Sequence, residues 1–277
     1  MRNMIEREQR REICSGDLKV LQMDVLQAVD NFCRDNNIRY SMACGTLLGA
    51  VRHEGYIPWD DDIDIYLLRD DYDKLMRLFP KVYQECYCIS SIERDPFWDK
   101  PYAKAYDNRT IVVEEAEYDG KFGVNIDVYP IDDVPDDETE WVNYDSKRRK
   151  LYKKYNRLLA FVPFRFSPIG IVRWLRWNYP KWFTTRRQMA KRIDAFSQKW
   201  RNKGYKRVFE CCQGQLQQHP FNKCVFDKIT SFSFEDRSFM GFENYDEYLR
   251  NGYGDYMTLP PEEKRVTHHF YKAYWKD

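Results

Sequence analysis

The sequence predicts an α+β fold, a sheet flanked by helices, and three observations predict it. Leu18, Leu21, Val25, Val29 and Phe32 recur at helical spacing. Ile63-Asp64-Ile65-Tyr66-Leu67 and Val124-Asn125-Ile126-Asp127-Val128-Tyr129 alternate as strands do. The stretch from about residue 136 to 205 is helical in tendency, basic and aromatic. With 277 residues the chain can bury a substantial core in one large or two modest domains. The expected organisation is a core over 1–135, a basic aromatic helical region over 136–210 and a C-terminal segment over 211–277 that packs back on the core.

The first helix has Ser15 or Asp17 available as N-cap and Asn36-Asn37 as a stop. Ile38 to Ala43 reads as a short strand, Gly45 as a tight turn, and Thr46 to Val51 as one or two helical turns that Gly55 ends. After the acidic run IPWDDDIDI (Ile57 to Ile65), the strand Ile63 to Leu67 leads into a helix from Arg69 to Phe79, closed by Pro80. Tyr87 to Ile92, Tyr102 to Tyr106 with Thr110 to Val113, and Val124 to Tyr129 are further strands. The middle region is interrupted around Pro163 and Pro168 and carries Trp174, Trp177, Trp182 and Trp200 among Lys and Arg. A hairpin around Phe232 to Asp236 and a helix from Tyr245 to Arg250 complete the reading.

Charge is segregated although the totals, 45 basic and 44 acidic, nearly cancel. Glu54 to Glu140 holds 24 acids against 9 bases, and Lys147 to Arg207 holds 20 bases against the single acid Asp194. Such a chain can hold cations at one end and anions at the other. For the basic part, an anionic membrane surface or an anionic glycan are both candidate partners, and Arg173, Arg176, Arg186 and Arg187 are the expected membrane contacts. Nucleic acid is not expected, because no recognition motif accompanies the basic residues. The opening MRNMIEREQRREI lacks the apolar core of a signal peptide and no run reaches the roughly 18–20 apolar residues of a membrane span. A cytoplasmic protein is expected, peripheral on the inner face of the membrane if the basic region makes that contact. The eight cysteines fit reduced thiols; Cys211, Cys212, His219 and Cys224 do not have a common zinc-ligand spacing.

Asp62 and Asp64, two apart at the mouth of a strand, point to one face. Two carboxylates on one face repel unless a cation lies between them, and hard oxygen donors suit Mg²⁺ or Mn²⁺. Ile63 and Ile65 then anchor the pair in the core. Asp127, an acid flanked by apolar residues in a strand, is the candidate third ligand, and Asp60 the next. Gly45-Thr46 at a strand-to-helix turn presents backbone N–H groups suited to a phosphate. Asp61 faces away from the pair in strand geometry and is the acid expected to matter least.

Glycine with a small hydroxyl residue, a spacer, Asp-x-Asp and a later single acid on a strand resembles the nucleotidyltransferase superfamily. The longer block GTLLGAVRHEGYIPWDDDIDIYLLRDDYDKL, Gly45 to Leu75, resembles the LicD family. So do Lys104 to Thr110, Asn125 to Pro130, Tyr248-Leu249 with YGDYMTLPP, and His268. The resemblance implies a nucleotidyltransferase-like mixed sheet in a catalytic core and a transferase. It would move a phospho-alcohol group from a CDP-alcohol to a hydroxyl of a cell-surface glycan or glycolipid, releasing CMP. Carried over by motif, Asp60, Asp62, Asp64 and Asp127 form the metal site, and Lys104, Arg52, Asp107 and His268 contact donor or acceptor. Asp127 as ligand or as base, and His268 as base, stay open. An ordinary nucleotidyltransferase acting on an NTP, or an inactive scaffold, are the alternative readings. A glycosyltransferase with Asp-x-Asp would need more than the about 60 residues that precede the motif here.

Overall fold

The computed structural model describes residues 10–114, 122–159, 164, 166–212, 219–266 and 271–276. In chain order the elements are α1 (Ser15–Asp35), β1 (Ser41–Met42), α2 (Cys44–His53), β2 (Asp64–Leu68), α3 (Arg69–Leu78), β3 (Tyr87–Ser90), β4 (Ala103–Asp107), β5 (Thr110–Glu114), β6 (Asn125–Val134), α4 (Glu138–Leu159), α5 (Pro168–Asn178), α6 (Arg186–Ser197), β7 (Arg207–Phe209), β8 (Phe221–Asn222), β9 (Ile229–Phe234), β10 (Arg237–Phe242), α7 (Tyr245–Tyr253) and β11 (Tyr271–Trp275). The fold is α+β. The chain divides into two compact units, one of Met1–Ser90, Ala103–Tyr129 and Cys224–Asp277, the other of Ser91–Tyr102 and Pro130–Lys223.

In the first unit α1 buries Leu21, Val25, Leu26, Val29 and Phe32, the stripe its sequence carries. Its cap is Cys14, whose sulfur accepts from the Asp17 N–H, rather than Ser15 or Asp17. Asn36 and Asn37 end it, Asn37 in the left-handed region (φ 50°) that asparagine tolerates. β1 is shorter than expected because the Ile38 N–H is taken by the Cys33 carbonyl at the exit of α1 (2.9 Å). The strands run in the order β1-β2-β6-β4-β3, with antiparallel pairing of β1 with β2, β4 with β6 and β3 with β4. Ile63, Ile65 and Leu67 are fully buried in this sheet's core.

Two further strand pairs complete the unit. β9 and β10 form the expected hairpin, turning at Glu235 with φ 55°. β5 pairs with β11, and residues 11–13 lie against β11, with Ile13 N–H donating to Ala273 and Trp275 N–H to Arg11.

β6 is longer than its alternating run predicts. Residues 125–128 pair with β4 and residues 132–134 with β7, so Pro130, which lacks an N–H, falls where the ladder changes partner.

In the second unit α4 and α6 enclose an aromatic core. Tyr144 stacks on Phe196 (centroids 4.8 Å apart), and Trp141 packs on Phe209 at 5.0 Å. Arg187, expected to face a membrane, instead donates to the carbonyls of Ile92, Asp95 and Trp98, and Arg186 pairs with Asp99. Both guanidiniums hold the 91–102 stretch to α6, where carbonyls without partners would otherwise be costly. Cys211 and Cys212 are buried here, whereas Cys224 is exposed and belongs to the first unit. Among the described residues no helix is long and apolar enough to cross a membrane.

Candidate active site

All predicted site residues that the structure describes lie in the first unit. Asp64 opens β2 and is 5% exposed. Its N–H donates to the Thr46 hydroxyl (2.9 Å) and its carbonyl accepts from the Ala43 N–H (2.9 Å). The buried Thr46 side chain therefore serves as a strut between the first turn of α2 and the start of β2. Gly45 has a different cause: a Cβ there would run into the carboxylate of Asp60. That carboxylate is thus laid against the N-terminal turn of α2, where helix N–H groups favour negative charge.

The acidic run is held from three sides. Gln22 on α1 donates to the Asp61 carbonyl (2.9 Å) and accepts from the Tyr56 hydroxyl. Glu235, at the β9–β10 turn, accepts from the Tyr56 N–H (3.0 Å), and its own N–H donates to the Glu54 carbonyl (2.7 Å). Its carboxylate fills the space a Cβ on Gly55 would need. Trp59 lies between His53, edge on at 6.3 Å, and the Arg265 guanidinium at 5.5 Å. Nothing in the sequence around Gln22 or Glu235 signals these contacts.

Asp127 stands on β6, its N–H donating to the Ile63 carbonyl (2.8 Å). β4 places Lys104 directly opposite, and Lys104 Nζ lies 2.5 Å from Asp127 Oδ1 while donating to Asn125 Oδ1 at 2.8 Å. The Tyr129 hydroxyl donates to Asp127 Oδ2 (2.9 Å). The Lys104 contact is an ion pair without hydrogen-bond geometry, so the buried Oδ1 makes no hydrogen bond.

The four acids feel one another. Burial first, then Asp62 as charge and hydrogen-bond partner, pushes Asp60 up to about 7. Burial, then the charges of Asp62, Asp127 and Asp60, holds Asp64 well above the usual carboxylate range, against an opposing contact from the Cys44 thiol. Tyr253 lies near the acids as well: burial, followed by Cys44, Asp64, Asp60 and Asp62, pushes its hydroxyl well up. It opens the YGDYMTLPP segment; no reading of the sequence alone placed it at the acids.

Neighbouring carboxylates of which two, Asp60 and Asp64, resist ionisation are a hard-oxygen donor set that suits Mg²⁺ or Mn²⁺. The acids are gathered but not closed into a cage: among the described residues no three His, Cys, Asp or Glu side chains are placed to hold one ion. Lys104 supplies the positive charge at Asp127.

Arg52, on the last turn of α2, donates from Nη1 to the Tyr256 carbonyl (2.5 Å), tying α2 to the segment after α7. Burial lowers its pKa, and the Tyr253 hydroxyl opposes that. Asp107 is fully buried and bound by the Arg109 backbone N–H (2.9 Å) and guanidinium (2.6 Å) at the β4–β5 turn. Three positions from Lys104 on a strand, it points to the opposite face and shapes the turn rather than joining the acids. His268 lies outside the described residues.

The sequence was compared with known proteins. The family described as LicD/FKTN/FKRP, nucleotidyltransferase domain, matches residues 37–173. That span carries every acid of the cluster. A lipopolysaccharide cholinephosphotransferase, LicD, of Haemophilus influenzae is 31% identical over 275 residues, 93% of this chain and 97% of that protein. An uncharacterized protein of Rickettsia prowazekii is 49% identical over 76 residues, 27% of this chain and 29% of its own length. Another, of Rickettsia typhi, is 32% identical over 148 residues, 53% of this chain and 41% of its own. Near-complete coverage in both directions, together with the acids on β2 and β6, leads to one conclusion: the chain belongs to the LicD family.

Proposed function

We propose that the protein transfers a phosphocholine-like phospho-alcohol group from a CDP-alcohol to a hydroxyl of a lipopolysaccharide-type cell-surface glycan, releasing CMP. One observation carries the reading: Asp60, Asp62, Asp64 and Asp127 converge in a chain aligned over nearly its whole length with a lipopolysaccharide cholinephosphotransferase. In this reaction the acceptor oxygen forms a bond to the phosphorus bearing the alcohol, the phosphorus–oxygen bond to CMP breaks, and the acceptor's proton passes to a base. A divalent cation, which Asp60, Asp62 and Asp64 would hold, would supply neutralising charge for the phosphates.

The chain's own residues do the rest. Thr46 fixes the start of β2, and so the direction of Asp64. Lys104, held by Asn125 and Asp127, is the cation available to the departing phosphate. Asp127, whose Oδ2 accepts from the Tyr129 hydroxyl, acts in this reading as the base that takes the acceptor's proton.

The test is nucleotide release by purified protein with Mg²⁺ and a panel of CDP-alcohols and NTPs. CMP from CDP-choline or a related CDP-alcohol, abolished by Asp64→Asn with the fold retained, is expected. Pyrophosphate from NTPs instead would replace the proposal with nucleotidyl transfer.

A further inference from the structure

None of the residues of α5, Pro168-Ile169-Gly170-Ile171-Val172-Arg173-Trp174-Leu175-Arg176-Trp177-Asn178, is buried. The helix is nonetheless well specified: Ser167 accepts from the Gly170 N–H (3.0 Å) and Pro168 occupies its first turn. A helix this short is marginal in water without a covered apolar face. Ile169 is 83% exposed and Val172 65%, and at the flanks Phe166 reaches 94% and Phe183 71%. Scattered exposed apolar residues are ordinary, but Ile169 and Val172, one turn apart on α5, line one hollow with Pro168 and Trp177, and an adjoining group of this kind marks an interaction surface.

Basic groups share that surface. Arg157, Arg173 and Arg176 line a hollow of about 650 Å³ together with Ile169, Val172 and Trp177. The Arg157 guanidinium stands 5.2 Å over the Trp177 ring. Unlike Arg186 and Arg187, Arg173 and Arg176 are exposed.

We propose that the α5 face docks on an anionic lipid bilayer, its apolar residues entering the headgroup boundary while Arg157, Arg173 and Arg176 meet lipid phosphates. Charge complementarity selects an anionic partner, since Asp194 is the one acid between Lys147 and Arg207. The apolar component selects a bilayer over a soluble polyanion, because Ile169 and Val172 gain burial only in an apolar phase. Trp and Arg side chains suit that boundary, with rings and stems in the apolar layer and polar ends in water. The inference does not rest on the phosphocholine reading.

The experiment is co-sedimentation of the full chain with vesicles of phosphatidylglycerol in phosphatidylcholine, and of phosphatidylcholine alone, at low and high salt. Binding to the anionic vesicles that weakens with salt is expected, with little binding to neutral ones. Arg173→Glu/Arg176→Glu should weaken it at least about tenfold. Ile169→Asp/Val172→Asp should also weaken it with the melting temperature unchanged, and Arg77→Glu/Lys81→Glu on the other unit should not. Absence of anionic-vesicle binding at low salt overturns the proposal, as does wild-type binding by both α5 variants. Full binding by the apolar variant with competition by heparin also overturns it, and identifies a soluble polyanion instead.

Discussion

Replacing Asp60 by Asn should stabilise the cation-free protein at neutral pH and weaken its response to Mg²⁺. Folding raises the Asp60 carboxyl from 3.8 to about 7, through burial and then Asp62. Between these values the folded chain keeps a proton that the unfolded chain releases. Stability from this group is therefore fully present below about pH 4 and is lost as pH climbs to about 7. At 1.36 kcal/mol per tenfold in proton affinity, the full difference is about 4 kcal/mol. Solvent reaches Asp60 and the loop can yield, so about 1–2 kcal/mol is expected to appear, or about 2–8 °C in melting temperature. The assay is thermal unfolding in EDTA at pH 5 and pH 8, with and without added Mg²⁺. The variant should melt higher than wild type at pH 8, by roughly a third as much at pH 5, and gain less from Mg²⁺. A lower melting temperature at pH 8, or the same gain at both pH values, would refute the reasoning.

Thr46→Val removes the acceptor of the Asp64 N–H and should cost about 1–3 kcal/mol by urea unfolding as well as turnover, whereas Thr46→Ser should restore both. Gly45→Ala forces the Asp60 carboxylate aside; the folded protein should lose Mg²⁺-dependent stabilisation, measured by thermal shift. Lys104→Met leaves Asp127 without its cation, and CMP release should fall at least about a hundredfold. Asp61→Asn is the control: its carbonyl is what Gln22 holds, so turnover should stay within about threefold of wild type.

The α1 stripe, the acidic strand and the hairpin were legible in the sequence because each is a local pattern: period, alternation or turn chemistry. Asp127 was legible for the same reason, as an acid between apolar neighbours on a strand. Thr46 illustrates the limit. A hydroxyl beside a turn glycine reads as a phosphate contact, but its partner is the N–H of a residue eighteen positions later, and only the tertiary fold brings the two together. The tie of Asp107 to Arg109 was illegible for an allied reason, since it depends on the turn formed by β4 and β5. Gln22, Glu235 and Tyr253 have no local signature at all. Each comes from an element distant in sequence and is defined by what it meets: a carbonyl, a loop N–H or a group of acids. The partners of Arg186 and Arg187 were illegible because a basic residue on a helix gives no hint that a carboxylate, or three carbonyls, lie within its reach.

The pairing of β5 with β11 sets an order on biosynthesis. The chain emerges from its N-terminus, so all of Pro130–Lys223 leaves the ribosome while β5 still lacks the strand that pairs with it. The nested unit can fold first, but the unit bearing the acids must wait for residues 271–275. Until then β5 offers an open edge to other nascent chains, the kind of exposure that leads to aggregation. Truncation ahead of Tyr271 would make that transient vulnerability permanent, although every acid of the cluster would remain in the chain.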